Sequence, residues 1–150
     1  MTTGAKGTRS GALAPFERHA PFRRPSDEMT QPTILICDDE ESLRELIRLS
    51  LDGEYAFVEA ADGDECIAVA RRELPDLVVL DLMMPRRGGV EVLREIRRAE
   101  ALARTPVLVI TADPALGEQA RAAGASLVIV KPFTPVGLSA AVTELLGKGS

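Results

Sequence analysis

The stretch Leu77-Val78-Val79-Leu80-Asp81-Leu82-Met83-Met84-Pro85 decides how this chain folds. Residues 77–80 are unbroken apolar, two of them β-branched, so the run has no polar face and reads as a strand covered on both sides, the pattern of a parallel sheet. It ends in an acid and passes into a loop marked by Pro85, Arg86, Arg87, Gly88 and Gly89. Three further runs have the same form: Thr33-Ile34-Leu35-Ile36-Cys37 into Asp38-Asp39, Val107-Leu108-Val109-Ile110 into Thr111, and Leu127-Val128-Ile129-Val130 into Lys131. In an open parallel sheet the strand ends share one edge, and ligands bind in the crevice beyond it. Residues distant in sequence are expected to meet there.

The segments between these runs read as helices. Leu43, Leu46, Ile47, Ser50 and Leu51 fall on one face at helical spacing, with Glu40, Arg44, Glu45 and Arg48 off it. Residues 55–60 read as a second strand, and 64–72 as a helix stopped before Pro75. A helix is expected over 90–99, and another begins at Asp113-Pro114, runs through Ala122 and stops at Gly124. Leu138, Ala141, Val142, Leu145 and Leu146 define a last amphipathic helix. Five β-α units imply an α/β fold with a doubly wound, five-stranded parallel sheet, and right-handed crossovers favour the flavodoxin-like order 2-1-3-4-5. That order makes the strands ending in Asp38-Asp39 and Asp81 neighbours.

The 150 residues suit one domain, with a core of Leu, Val, Ile and Ala, since only 3% are aromatic. Residues 1–31, rich in Gly, Pro and Arg and without apolar periodicity, are expected to form a disordered basic extension, and residues 32–147 the folded domain, with no output domain after it. Residues 1–28 carry five Lys/Arg against three Asp/Glu, so of the net charge of −5 the rest holds −7, which argues against a DNA partner. The apolar runs are too short to cross a membrane, and a cytoplasmic protein is expected. Cys37 and Cys66 read as reduced, buried thiols.

Three carboxylates gathered within several ångströms repel each other, by about 4 kcal/mol per pair at 4 Å with an effective dielectric near 20. Protonation of one acid, Lys131 as counter-ion, or a divalent cation could compensate. Mg²⁺ suits best, because it accepts a few carboxylate oxygens, keeps several waters and adds a phosphate oxygen readily. Asp81 could then act as a nucleophile toward phosphorus, with Thr111 hydrogen-bonding one phosphoryl oxygen and Lys131 pairing with another.

With these motifs in view, residues 33–146 resemble a response-regulator receiver domain of two-component signalling. The matching text is Ile36-Cys37-Asp38-Asp39-Glu40, Val79 through Pro85, Thr111-Ala112, and Gly124-Ala125 through Lys131-Pro132-Phe133. The resemblance implies that Asp38, Asp39, Asp81 and the carbonyl of Met83 hold Mg²⁺. It implies that Asp81 accepts phosphate from a sensor histidine kinase or histidine phosphotransfer protein, that Thr111 and Lys131 sense the phosphoryl group, and that the bond before Pro132 is cis. Such a domain is a signalling switch rather than an enzyme. It acts on a downstream protein of unknown identity through the surface of its fourth helix, fifth strand and fifth helix. A phosphorelay shuttle or a fragment of a larger regulator or hybrid kinase would share the chemistry. The only histidine, His19, lies in the leader, so the donor is expected to be another protein.

The chain departs from the family pattern at three places. Val128 stands where the family commonly has an aromatic switch residue. Arg86 and Arg87 replace the usual loop text and are candidates for recruiting an anionic donor, as against a solvated basic loop. Met83 and Asp113 occupy positions that influence phosphate lifetime in the family. A fourth feature, Gly117 in the middle of the fourth helix, is expected to leave that helix easy to shift. An aspartyl phosphatase of the dehalogenase type would also use a strand-end Asp and Mg²⁺, but it needs a second acid where this chain has Met83. A nucleotide-binding enzyme would need a glycine loop after the first strand, where this chain has acids at 38–41.

Overall fold

A computed structural model describes residues 31–149 except 52 and 54. The expected disordered extension therefore lies, but for Gln31, outside the described residues. Five strands and five helices alternate: β1 (Thr33–Cys37), α1 (Glu41–Ser50), β2 (Ala56–Ala60), α2 (Gly63–Glu73), β3 (Leu77–Asp81), α3 (Gly89–Arg98), β4 (Val107–Thr111), α4 (Pro114–Ala123), β5 (Leu127–Val130) and α5 (Pro135–Gly149). A short 3₁₀ turn, Glu100–Leu102, follows α3. All strand pairs are parallel and the order is β2-β1-β3-β4-β5, as the sequence predicts.

Alternating side chains divide the core into two layers. Leu35, Cys37, Val78, Leu80 and Val109 face one side, under Cys66, Ala70, Leu93, Ile96 and Ala120 of α2, α3 and α4. Ile34, Ile36, Val79, Leu108 and Ile110 face the other, under Ile47 of α1 and Leu138, Val142 and Leu145 of α5. The inner strands β3 and β4 are buried at every position, whereas the outermost strands β2 and β5 are mostly half-buried, because only one flank of each is covered. Burying each of these aliphatic side chains stabilises the fold by about 1.5–3 kcal/mol before chain entropy is subtracted.

Local chemistry sets the helix ends. Asp62 accepts a hydrogen bond from the Glu65 amide, which starts α2 one residue earlier than the apolar pattern suggests. Asp113 accepts from the Ala115 amide at 2.9 Å, Pro114 occupies the first turn of α4, and Gly124 ends it at φ 113°.

Three sequence expectations change in three dimensions, and one unforeseen contact joins them. Leu46, assigned to the inward face of α1, is 42% exposed: the stripe that α1 buries is narrower than its periodicity, and Ile47 and Leu51 fill it. Cys37 and Cys66, read as free thiols, are joined in a disulfide, because the end of β1 and the second turn of α2 face each other in one core layer with Cα atoms 6.0 Å apart. Gly117 is buried, and a Cβ there would lie 3.0 Å from Val128 Cγ1 and 3.6 Å from Thr111 Cγ2, so it permits close packing of α4 rather than ease of motion. Arg97, a charged residue late in α3, turns inward.

The Arg97 guanidinium donates to the carbonyls of Gly124 (3.0 Å), Ala103 (3.1 Å) and Thr105 (2.7 Å), and burial lowers its pKa. It ties the end of α4 to the segment entering β4. Replacing Arg97 with Met keeps the stem but orphans these acceptors, and should lower unfolding free energy by about 2 kcal/mol, read as a lower urea midpoint at unchanged slope.

Candidate functional site

The strand order brings the polar strand ends to one edge of the sheet. β1 and β3 are adjacent, with Cys37 opposite Leu80, so Asp38 and Asp81 each stand one residue beyond this pair. Asp81 is opposite Ile110, and Thr111 is opposite Val130, which precedes Lys131. Asp38 and Asp81 are 3% and 5% exposed, Thr111 is buried, and Asp39 is exposed. One carboxylate oxygen from each of Asp38, Asp39 and Asp81 lies within 4.8 Å of the others. Lys131 Nζ is 3.8 Å from Asp81 Oδ1.

Backbone groups orient these side chains. The Glu40 amide donates to Asp38 Oδ1 at 2.9 Å, and the Met83 amide approaches Asp81 Oδ1 at 3.4 Å. Thr111 Oγ1 accepts from the Asp113 amide at 3.1 Å, and its carbonyl accepts from the Lys131 amide at 2.8 Å. The Lys131–Pro132 peptide is cis. Met83 directs an exposed side chain outward, and Val128 is half-buried beneath Gly117. The loop after Asp81 is held by two close approaches. The Gly89 amide donates to the Leu82 carbonyl, and a Cβ on Gly63 would collide with the Arg87 backbone.

Arg86 and Arg87 are engaged within the fold. Arg87 spans Asp64 of α2 (3.1 Å) and Glu95 of α3 (3.0 Å), and Arg86 lies 3.5 Å from Asp62. Of the two readings of this loop, recruitment of an anionic donor loses ground for Arg87, which pairs with two helices, and the solvated-loop reading is modified for it likewise.

Electrostatics leave the cluster short of positive charge. Burial, with the neighbouring Asp81 and Asp39, raises the Asp38 pKa from 3.8 to about 6, against the Glu40 amide and Lys131. Burial also raises the Asp81 pKa, opposed by Lys131 and the Met83 amide. The folded chain thus holds protons that the unfolded chain has already released between about pH 4 and pH 6. Without metal, stability should fall as pH rises through that window and level off above it. An Asp38→Asn chain should gain on the native one over the same window, by on the order of 2 kcal/mol at pH 7. Urea midpoints of both chains from pH 4 to 7 check this; a gap independent of pH would contradict it.

These observations test whether the residues suit a divalent cation. Buried carboxylates forced toward the neutral form gain most from one, and oxygens around an octahedral Mg²⁺ lie about 3–4 Å apart, close to the spacing found. The donor set fits. Sequence reading passed over Arg44 and Glu59: Arg44 was placed on the polar side of α1, yet its side chain is only 15% exposed and pairs with Glu59 at 2.7 Å. No local pattern marks that pair, because it joins α1 to β2.

A doubly wound sheet with acids at the ends of β1 and β3 and a lysine after β5 defines a class of signalling domain, and the comparisons agree. The family model for the response regulator receiver domain matches residues 34–143. The transcriptional regulatory protein ResD of Bacillus subtilis is 42% identical over 130 residues, covering 83% of this chain and 52% of that protein. The alkaline phosphatase synthesis transcriptional regulatory protein PhoP of Bacillus subtilis is 37% identical, covering 75% and 48%. Among solved structures, the chemotaxis response regulator CheY4 of Vibrio cholerae superposes with a TM-score of 0.73 at 31% identity, covering 77% of this chain and 99% of that one. This chain belongs to the response regulator receiver domain family. It spans about half the length of the curated relatives it matches.

Proposed function

We propose that this receiver domain is a phosphorylation switch in which Asp81 accepts a phosphoryl group from a phosphohistidine on a sensor kinase or phosphotransfer protein, with Mg²⁺ held by Asp38, Asp39, Asp81 and the Met83 carbonyl. The observation that carries this reading is the convergence of three carboxylates and Lys131 on one sheet edge. An Asp81 carboxylate oxygen attacks phosphorus, the P–N bond of the donor breaks, and the imidazole leaves with its electron pair. Bound Mg²⁺ would supply neutralisation of charge on the transferring group. Lys131, near Asp81, would pair with one phosphoryl oxygen and Thr111 would donate to another.

The chemistry is a reversible modification rather than turnover of a free substrate. Its proposed setting is the cytoplasm; no described helix is long and apolar enough to cross a membrane. Thr111 contributes the route to output, because its methyl group lies against the position a Gly117 side chain would occupy on α4. Movement of Thr111 toward the phosphoryl group would shift α4 and alter the surface of α4, β5 and α5 that a downstream protein reads. This is the stand-alone mode of action.

Amide spectra with and without beryllofluoride and Mg²⁺ test the reading. The BeF3-activated receiver domain of DrrB is a solved structure similar to this chain (TM-score 0.70, 27% identity, covering 79% of this chain and 99% of that one). Shifts concentrated over residues 111–131 are expected. A spectrum unchanged there would overturn the proposed switch.

A further inference from the structure

Asp38 is held at three points. Its amide donates to the Ala60 carbonyl of β2 at 3.1 Å, its Oδ1 accepts from the Glu40 amide, and its carbonyl accepts from Arg44 Nη1 at 2.7 Å. The third hold comes from a side chain that is itself fixed. Arg44 Nε pairs with Glu59 Oε1 at 2.7 Å, and Arg48 pairs with the other oxygen of Glu59. Glu59 sits on β2 opposite Ile36 of β1, so the clamp is referenced to the sheet rather than to the loop it steadies. The Arg44 backbone begins α1 through its own bond to the Glu40 carbonyl. One residue thus fastens both ends of the turn 38–40, which carries two of the three clustered acids.

We infer that Arg44, braced by Glu59, is a positioning residue for the cation site, setting the direction in which Asp38 presents its carboxylate. The inference rests on the metal reading proposed above. Both backbone groups of Asp38 are hydrogen-bonded, which fixes the direction of its Cα–Cβ bond, and its carboxylate has an oxygen within 4.8 Å of one on Asp81. Groups that orient a metal ligand in this way commonly contribute tenfold or more to affinity. The sign of the effect separates positioning from simple charge. A guanidinium near a cation site repels the cation, so removing it would by electrostatics alone tighten binding. Positioning requires the opposite.

The experiment compares Arg44→Met and Arg48→Met in the full chain. Both deprive Glu59 of a guanidinium, but only Arg44→Met removes the bond to the Asp38 carbonyl. Mg²⁺ dissociation constants are read from amide shifts, and hydrogen exchange of the 39 and 40 amides is read without Mg²⁺. Arg44→Met is expected to raise the dissociation constant about tenfold and to speed exchange, while Arg48→Met stays within about twofold on both. Unchanged or tighter Mg²⁺ binding in Arg44→Met, or equal weakening in Arg48→Met, overturns the inference. Should Arg44→Met not fold, Glu59→Gln, which keeps an acceptor but loses the ion pair, is expected to weaken Mg²⁺ about threefold, and native affinity in it overturns the inference. Should the native chain bind no Mg²⁺, the metal reading fails on its own. The positioning claim then stands or falls on the metal-free exchange.

Discussion

An Asp81→Asn chain is expected to take up no phosphoryl group from a phosphohistidine donor, a loss of at least roughly three orders of magnitude in transfer rate. The carboxamide has nearly the shape of the carboxylate and can still accept from the Met83 amide, so the fold should persist. What disappears is the anionic oxygen proposed to form the bond to phosphorus, together with one of the three oxygens proposed to hold the cation. Radiolabel transfer from a donor kinase, with mass measurement of the intact chain, reads the outcome. Asp38→Asn sets the contrast, because it would weaken the proposed cation site but leave the proposed nucleophile. Slowed labelling in Asp38→Asn beside none in Asp81→Asn is the expected pattern, and native labelling of Asp81→Asn would end the proposal.

The second large effect concerns the support of the site. Gly89 begins α3 directly against the chain leaving β3: a Cβ there would stand 2.5 Å from Leu82 Cα and 2.8 Å from the Asp81 carbonyl oxygen. Both are backbone atoms, which cannot rotate away as the tip of a flexible side chain could. Gly89→Ala must therefore push α3 off Leu82 or bend the segment that carries Asp81. A loss of about 3 kcal/mol is expected, lowering the melting temperature by roughly 10 °C, and phosphotransfer should slow in the molecules that remain folded. Gly88→Ala is the control: its Cβ would meet nothing within 4 Å, and its φ of −65° suits alanine.

The fold was legible because its signals are local and repeated. Continuous apolar runs, Asp113-Pro114 at a helix start and Gly124 at its end each depend on a few neighbouring residues. The gathering of Asp38, Asp39, Asp81 and Lys131 followed from a topological rule that sends every strand end to one edge. What the sequence hid depends on register and depth. The Cys37–Cys66 bond needs the seating of α2 on β1, and the inward turn of Arg97 needs the carbonyls of a loop and of the end of α4. The grip of Arg44 on Asp38 joins residues only six apart, yet it is meaningful only with Glu59 in place on β2. Gly117 was misread for a related reason. Helix propensity describes an isolated helix, whereas this glycine is set by the Val128 side chain beneath it.

Arg97 has a consequence for how α4 can travel. Its guanidinium moors Gly124, the residue that caps the end of α4, to α3, while the opposite tip begins at Asp113, two residues from Thr111. In the proposed switch, a displacement that starts at Thr111 would have a fulcrum at the far end, and α4 would swing as a lever rather than slide as a piston. That swing would be widest at Pro114 and Ala115, so a protein reading the proposed switch would gain most by touching that tip.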